Sequence, residues 1–140
     1  LRLIADYNPF LLDVEFNTIQ KDKKLAVYLK KTKCKLLISW HDFKKTPNDS
    51  QLKSRFNKMR KFSKIVKIVT VAKNVSDASR LLSLYSIKSN NEMVAFCMGD
   101  QGKFSRILCL HLGSPFTYVS LGKAIAPGQF SVDEIKSLEN

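Results

Sequence analysis

Two residues of this chain are of types that could do chemistry where they stand. Lys67 sits in the middle of IVKIVTVA, flanked by Val66 and Ile68, in a run that reads as a buried strand. His41 closes KLLISWH, another apolar run, just before the polar DFKKTP stretch. Each has an ordinary structural explanation. A strand-end histidine can simply satisfy a hydrogen bond, and a strand lysine can lie at a sheet edge or snorkel out between helices. An ammonium buried in such a strand otherwise costs several kcal/mol unless it is paired or loses its proton. Taken together, the two say more. Strands 35–41 and 65–72 are consecutive and are expected to pair in parallel, about 4.8 Å apart. Ligand sites in α/β folds lie at the carboxyl ends of the strands, where His41 falls. A deprotonated lysine there is a nucleophile for a ketone, and a neighbouring imidazole can move protons on the resulting iminium.

The elements that would position this pair follow from periodicity. Strand candidates are 10–16 (FLLDVEF), 35–41 (KLLISWH), 65–72 (IVKIVTVA), 92–99 (EMVAFCMG) and 116–121 (FTYVSL). Between them, Leu52, Phe56 and Met59 recur at helical spacing, as do Ala78, Leu81, Leu82 and Tyr85 behind a Ser76-Asp77 cap. Phe104, Ile107, Leu108 and His111 form a third stripe, which makes His111 a packing or surface residue. Ser131 to Glu134 reads as a capping box opening a last helix. Strand and helix alternate, and the strands are continuously apolar, so the expected fold is a parallel sheet covered by helices. That leaves a doubly wound sheet or part of a (β/α)₈ barrel. No Gly-rich phosphate loop follows any strand, which removes the main argument for a nucleotide-binding open sheet. Trp40 alternates to the opposite face from His41 and should pack under helices.

Length and composition agree with one soluble domain: 140 residues, 44% hydrophobic and 26% charged. No apolar run approaches the roughly 20 residues of a membrane span, and no signal-peptide pattern opens the chain. Cys34, Cys97 and Cys109 form no CxxC pair, which argues against a disulfide framework or a zinc site and for a reducing compartment, the cytoplasm. The net charge is +12, and 16 of the 24 Lys and Arg lie between Lys21 and Lys67. A basic face can bind nucleic acid or steer a small anion. The cations are mostly lysines without aromatic interleaving or a known RNA- or DNA-binding pattern, so nucleic acid is the lesser expectation.

SWHDFKKTP, VKIVTVA, MGDQGKFSRI and LGSPFTYVSLGKAIAPGQFSVDEI occur in this order and spacing. With them the chain resembles the type I 3-dehydroquinate dehydratase family from about Leu11 to its end, with LLDVEF similar to the family's fourth strand. The resemblance implies an α/β fold, a (β/α)₈ TIM barrel, of which this chain would cover about the last five βα units as a single domain, 1–140. It implies a cytoplasmic homodimer of the shikimate pathway that uses no metal or cofactor and dehydrates 3-dehydroquinate to 3-dehydroshikimate. Lys67 matches the lysine that condenses with the ketone, and His41 the general acid/base. Arg106 matches the arginine that grips the substrate carboxylate, and Gln129 a lid-loop side chain that hydrogen-bonds the substrate. Phe43 and Met98 would line the pocket, with Glu15 supporting His41 from behind. Arg106 is further expected to lie close enough to Lys67 to favour the uncharged amine by like-charge repulsion.

Two features depart from the family pattern. Ile125 stands where the family has a small residue, often Ser, and one substrate hydrogen bond is expected to be absent. The chain opens on Leu1, just before the fourth strand, so the first three units and the family's Arg-x-x-x-Glu-Gly-Gly motif fall outside it. Five units cannot close the usual barrel. The expectation is a piece of a longer polypeptide; the alternatives are a product completed by assembly or an inactive half-barrel. A class I aldolase-like barrel fits the lysine and histidine but not Arg106 with APGQ. A non-catalytic basic binding domain is the reading from another class.

Overall fold

A computed structural model describes residues 1–122 and 125–138 of the chain. Lys123 and Ala124, inside the LGKAIAPG stretch, lie outside the described residues. The chain opens with α1 (Arg2–Asp6), then β1 (Leu12–Glu15), α2 (Phe16–Lys21), α3 (Lys23–Lys31) and β2 (Leu36–Asp42). Next come α4 (Asp49–Met59), β3 (Ile65–Val71), α5 (Val75–Leu82), β4 (Glu92–Met98), α6 (Ser105–His111) and α7 (Val132–Leu138). The four strands form one parallel sheet in the order β1-β2-β3-β4.

Because strand side chains alternate faces, β3 and β4 feed two clusters, while β1 and β2 contribute to the first alone. Val14, Ile38, Trp40, Val66, Ile68 and Ala95 pack on the outer side with Leu52, Phe56, Met59, Ala78 and Leu81 from the helices. Val69, Val94, Phe96 and Met98 form a second cluster on the other face with Cys109 and Leu82. Trp40 is on the helix side, as its alternation implied, with the Arg55 guanidinium 4.5 Å from its ring centroid. The two helical stripes 52/56/59 and 78/81/82 are buried as the periodicity required.

Local chemistry sets the helix starts. Asn48 caps α4 in a reciprocal box with Gln51, directly after Pro47. Asn74, rather than Ser76-Asp77, caps α5: its side chain accepts from Asp77 N at 2.9 Å. Ser131 and Glu134 form the expected box at α7, at 2.7 and 3.1 Å. The loop between β2 and α4 is pinned by a buried hydroxyl. Thr46 Oγ1 lies 2.7 Å from Thr70 Oγ1 and donates to Val71 O at 3.0 Å, tying the loop to β3.

Three expectations need correction. Strand 10–16 is a strand only over Leu12–Glu15, because pairing with β2 begins at Leu12↔Leu36 and Phe16 already opens α2. Residues 116–121 form no ladder with β4 among the described residues. Their backbone groups turn instead to the segment before α7: Ser120 N donates to Phe130 O at 2.9 Å and Val132 N to Ser120 O at 3.0 Å. The described sheet therefore has four strands where five units were expected. Finally, α6 buries Ser105, Arg106 and Cys109, while Leu108 and His111 are exposed. Its buried face carries the arginine, so apolar spacing alone picked the wrong stripe. The three cysteines are buried and free, as expected.

These faces differ in what they cost to truncate. Leu52→Ala should lower unfolding free energy by about 2–5 kcal/mol, the range for a buried leucine. Leu108→Ala, at 43% exposure, should cost under about 1 kcal/mol. Urea denaturation of the two variants checks the assignment, and equal losses would refute it.

Candidate active site

The inner face of the sheet follows from register and alternation. Glu15 pairs with Ser39, Ser39 with Lys67 and Lys67 with Val94; two residues further on, His41 pairs with Val69 and Val69 with Phe96. The functional groups of three strands therefore share one face. Lys67 is 7% exposed, and its Nζ donates to Asp13 Oδ2 at 2.6 Å. His41 Nδ1 lies 2.8 Å from Glu15 Oε2, and Ser39 Oγ donates to the same oxygen at 3.4 Å. With the carboxylate accepting, Nδ1 carries the hydrogen and Nε2 is the nitrogen left for a ligand. Phe43 stacks on the imidazole, its ring 5.6 Å away and tilted by only 10°.

β4 and α6 after it supply the opposite wall. Arg106 is 3% exposed, with its guanidinium carbon 4.4 Å from the Phe96 ring centroid. Burial pulls its guanidinium below the usual range, and its Nε has no hydrogen-bond partner among the described residues. An orphaned buried donor is costly, and an anion in front of it would remove that cost. The APGQ turn is seated backbone to backbone on the same wall. Gly99 N donates to Pro127 O at 3.2 Å, and a Cβ added to Gly128 would come within 2.5 Å of Gly99 O. Gly128 also has φ +70°, so glycine suits it twice over. Beyond it, Gln129 Oε1 accepts from Ile125 N at 3.0 Å and Ala126 N at 3.4 Å. The acceptor end of this amide is held by its own turn, and the donor end is what it can offer a ligand.

His41, Lys67, Arg106 and Gln129, the four residues singled out from sequence, line one cavity of about 320 Å³. Phe43 and Met98 line it too, as expected, and so does Ile125. The volume falls within the range of small-molecule sites. A larger groove of about 510 Å³ runs outside the sheet along α4, past Trp40, Lys45, Arg55 and Lys58. It contains cations but neither the histidine nor the strand lysine.

Two neighbours were missed from sequence. Asp13 shares a strand face with Glu15, and a lone strand lysine should have prompted a search for its counter-charge. Tyr118 lies 3.5 Å from Lys67 Nζ through its hydroxyl, and nothing in FTYVSL advertised it. One expectation is also reversed. The charge paired with Lys67 is the Asp13 carboxylate, of opposite sign, while Arg106 packs on Phe96.

The sheet and site define a segment of a (β/α)₈ barrel with, around one cavity, an amine, an imidazole and a guanidinium whose Nε has no partner among the described residues. A family model described as Type I 3-dehydroquinase matches residues 1–139. The chain is 37% identical over 132 residues to the 3-dehydroquinate dehydratase of Pyrococcus abyssi, covering 94% of this chain and 60% of that protein. It is 40% identical over 132 residues to the 3-dehydroquinate dehydratase of Pyrobaculum aerophilum, covering 94% and 42%. Among solved structures, the type I 3-dehydroquinate dehydratase of Clostridium difficile with covalent modified comenic acid superposes with a TM-score of 0.84. That match is at 26% identity and covers 98% of this chain and 57% of that one. The chain belongs to the type I 3-dehydroquinase family. It spans 60% or less of the length of these two relatives.

The Lys67–Asp13 pair makes an asymmetric prediction. The lysine side chain is 9% exposed and the aspartate 39%, so Asp13→Ala strands the deeper charge. It should cost about 1–3 kcal/mol, discounted from the fully buried case because water reaches the carboxylate. Lys67→Met leaves the wetter partner and should cost less. Thermal unfolding of both variants at neutral pH decides it.

Proposed function

We propose that the chain carries the catalytic centre of a 3-dehydroquinate dehydratase, a hydro-lyase working through a Schiff base on Lys67. One observation supports this above the others: an amine buried in a strand opens onto the same cavity as His41, Arg106 and Gln129. The covalent modified comenic acid in the Clostridium difficile structure supports a covalent step.

On this reading Arg106 binds the substrate carboxylate, with its orphaned Nε as one donor. The Gln129 amide donates to a substrate hydroxyl, and Phe43 and Met98 form apolar walls. Asp13, 2.6 Å from Lys67 Nζ, takes the ammonium proton as the amine attacks C3 of the ketone. The carbinolamine loses water and leaves an iminium, whose positive nitrogen draws electrons from C2. His41 removes the C2 proton to give an enamine, and the Glu15 carboxylate stabilises the imidazolium that forms. The C1–O bond then breaks, and the same proton leaves on the hydroxyl as the second water. Hydrolysis of the imine uses one water and releases 3-dehydroshikimate and free Lys67, so one water is lost overall. Membership of this family brings the rest of the proposal: a cytoplasmic, cofactor-free homodimer in the shikimate pathway of aromatic amino acid biosynthesis.

Borohydride trapping tests it. Incubation with 3-dehydroquinate, reduction, digestion and mass spectrometry should place the added mass on the Lys67 peptide, and Lys67→Ala should abolish it. His41→Ala should still form the adduct while dehydration slows by about 10²–10⁴-fold. A folded, unaltered protein that gives no adduct would refute the proposal.

A further inference from the structure

The nitrogen of Lys67 has two side-chain neighbours. One is Asp13, and the other is Tyr118, whose hydroxyl oxygen is 3.5 Å from Nζ and whose ring centroid is 4.8 Å away. The tyrosine is held in place. Its ring lies 5.8 Å from Phe116 in an edge-on arrangement and 6.0 Å from Phe96, tilted by 54°. Two residues on, Ser120 is fixed by backbone hydrogen bonds to Phe130 and Val132. At 37% exposure, the side chain reaches both the cavity and water.

We propose that Tyr118 is a further catalytic residue of the imine chemistry, its ring stabilising the cationic nitrogen and its hydroxyl protonating the oxygen that leaves the carbinolamine. The inference rests on the Schiff-base reading of Lys67. The chemistry at nitrogen shows why a ring belongs there. An ammonium has three N–H donors and can satisfy Asp13 and other acceptors together. The iminium keeps the full positive charge but has a single N–H. A carboxylate needs that hydrogen for its strongest contact, whereas an aromatic face attracts the charge without one. The ring therefore keeps its grip as the nitrogen changes from ammonium to iminium.

The hydroxyl acts one step earlier. The C3–O bond of the carbinolamine breaks, the oxygen takes the electron pair and accepts the Tyr118 proton, and water departs. The nitrogen lone pair forms the C=N bond. Tyr118 is left as phenolate, and the proton that Asp13 took from Lys67 restores it through solvent. No proton is gained or lost across imine formation, and no co-reactant is required. His41 is then free for the proton at C2.

Single-turnover borohydride trapping with 3-dehydroquinate separates the two roles, read as the rate and final yield of the Lys67 adduct. Tyr118→Phe keeps the ring and should slow adduct formation at least about tenfold while reaching the unaltered yield. Tyr118→Leu removes both parts and should also lower the yield, by about two- to tenfold. Circular dichroism confirms that each variant is folded, and if the leucine form is not, the phenylalanine form carries the test. A phenylalanine variant at full rate overturns the hydroxyl's role, and a leucine variant at full yield overturns the ring's. Absence of adduct in the unaltered protein fails the Schiff-base reading itself, and this inference with it.

Discussion

The structure turns on an ammonium placed inside a parallel sheet. Lys67 occupies a buried strand position between Val66 and Ile68, and the cost of removing its charge from water is met by Asp13, two strands away. That single pairing constrains everything between. β1 must lie in the same sheet as β3, with β2 separating them, and the residue of β2 in register with Lys67 must be small. It is Ser39, whose hydroxyl leaves the lysine room to cross toward β1. A bulkier side chain there would separate the charges.

From that constraint the inner face acquires its gradient. β1 presents two carboxylates, Asp13 and Glu15, and each is matched to a cationic or protonatable group one or two strands over. β4 presents Val94, Phe96 and Met98, and the guanidinium of Arg106 rests on the middle of these. The two basic groups at the β1 side are thus neutralised, while Arg106 is not. Among the described residues it is the buried cation without a carboxylate partner, and it faces the cavity. The face is acidic at one side and cationic at the other, with the amine between them. Such an arrangement orients a carboxylate-bearing ligand before any bond forms.

Much of this was legible in the sequence, and the misses have physical reasons. His41 and Lys67 stood out because each broke an apolar strand pattern, and parallel pairing made their strands neighbours; the register Ser39↔Lys67 is what puts them on one face. α4 and α5 were readable because core packing alone decides their stripes. α6 was not, because its buried face is chosen by Arg106 and Ser105, and polar burial carries no hydrophobic period. α1 and α2 escaped because they are short, and the break between α2 and α3 falls at Asp22, where φ is −115°. The strand at 116–121 was over-read: strand character shows in side chains, but a strand also needs a partner for its backbone, and here the partner is the stretch before α7. Tyr118 could not be found by pattern at all, since its place beside Lys67 depends on that misplaced segment.

The glutamine of the APGQ turn has a consequence for binding thermodynamics. Its carbonyl oxygen is occupied by the backbone of its own turn, and the neighbouring glycine fits against Gly99 with no space for a side chain. The turn is therefore shaped by local contacts in the absence of a ligand, and the Gln129 amide borders the cavity with its acceptor end already occupied. Little conformational entropy remains to be lost there on association. Recognition at this corner is lock-like, and differences among ligands should appear as enthalpy of contact instead of as the cost of ordering a cover.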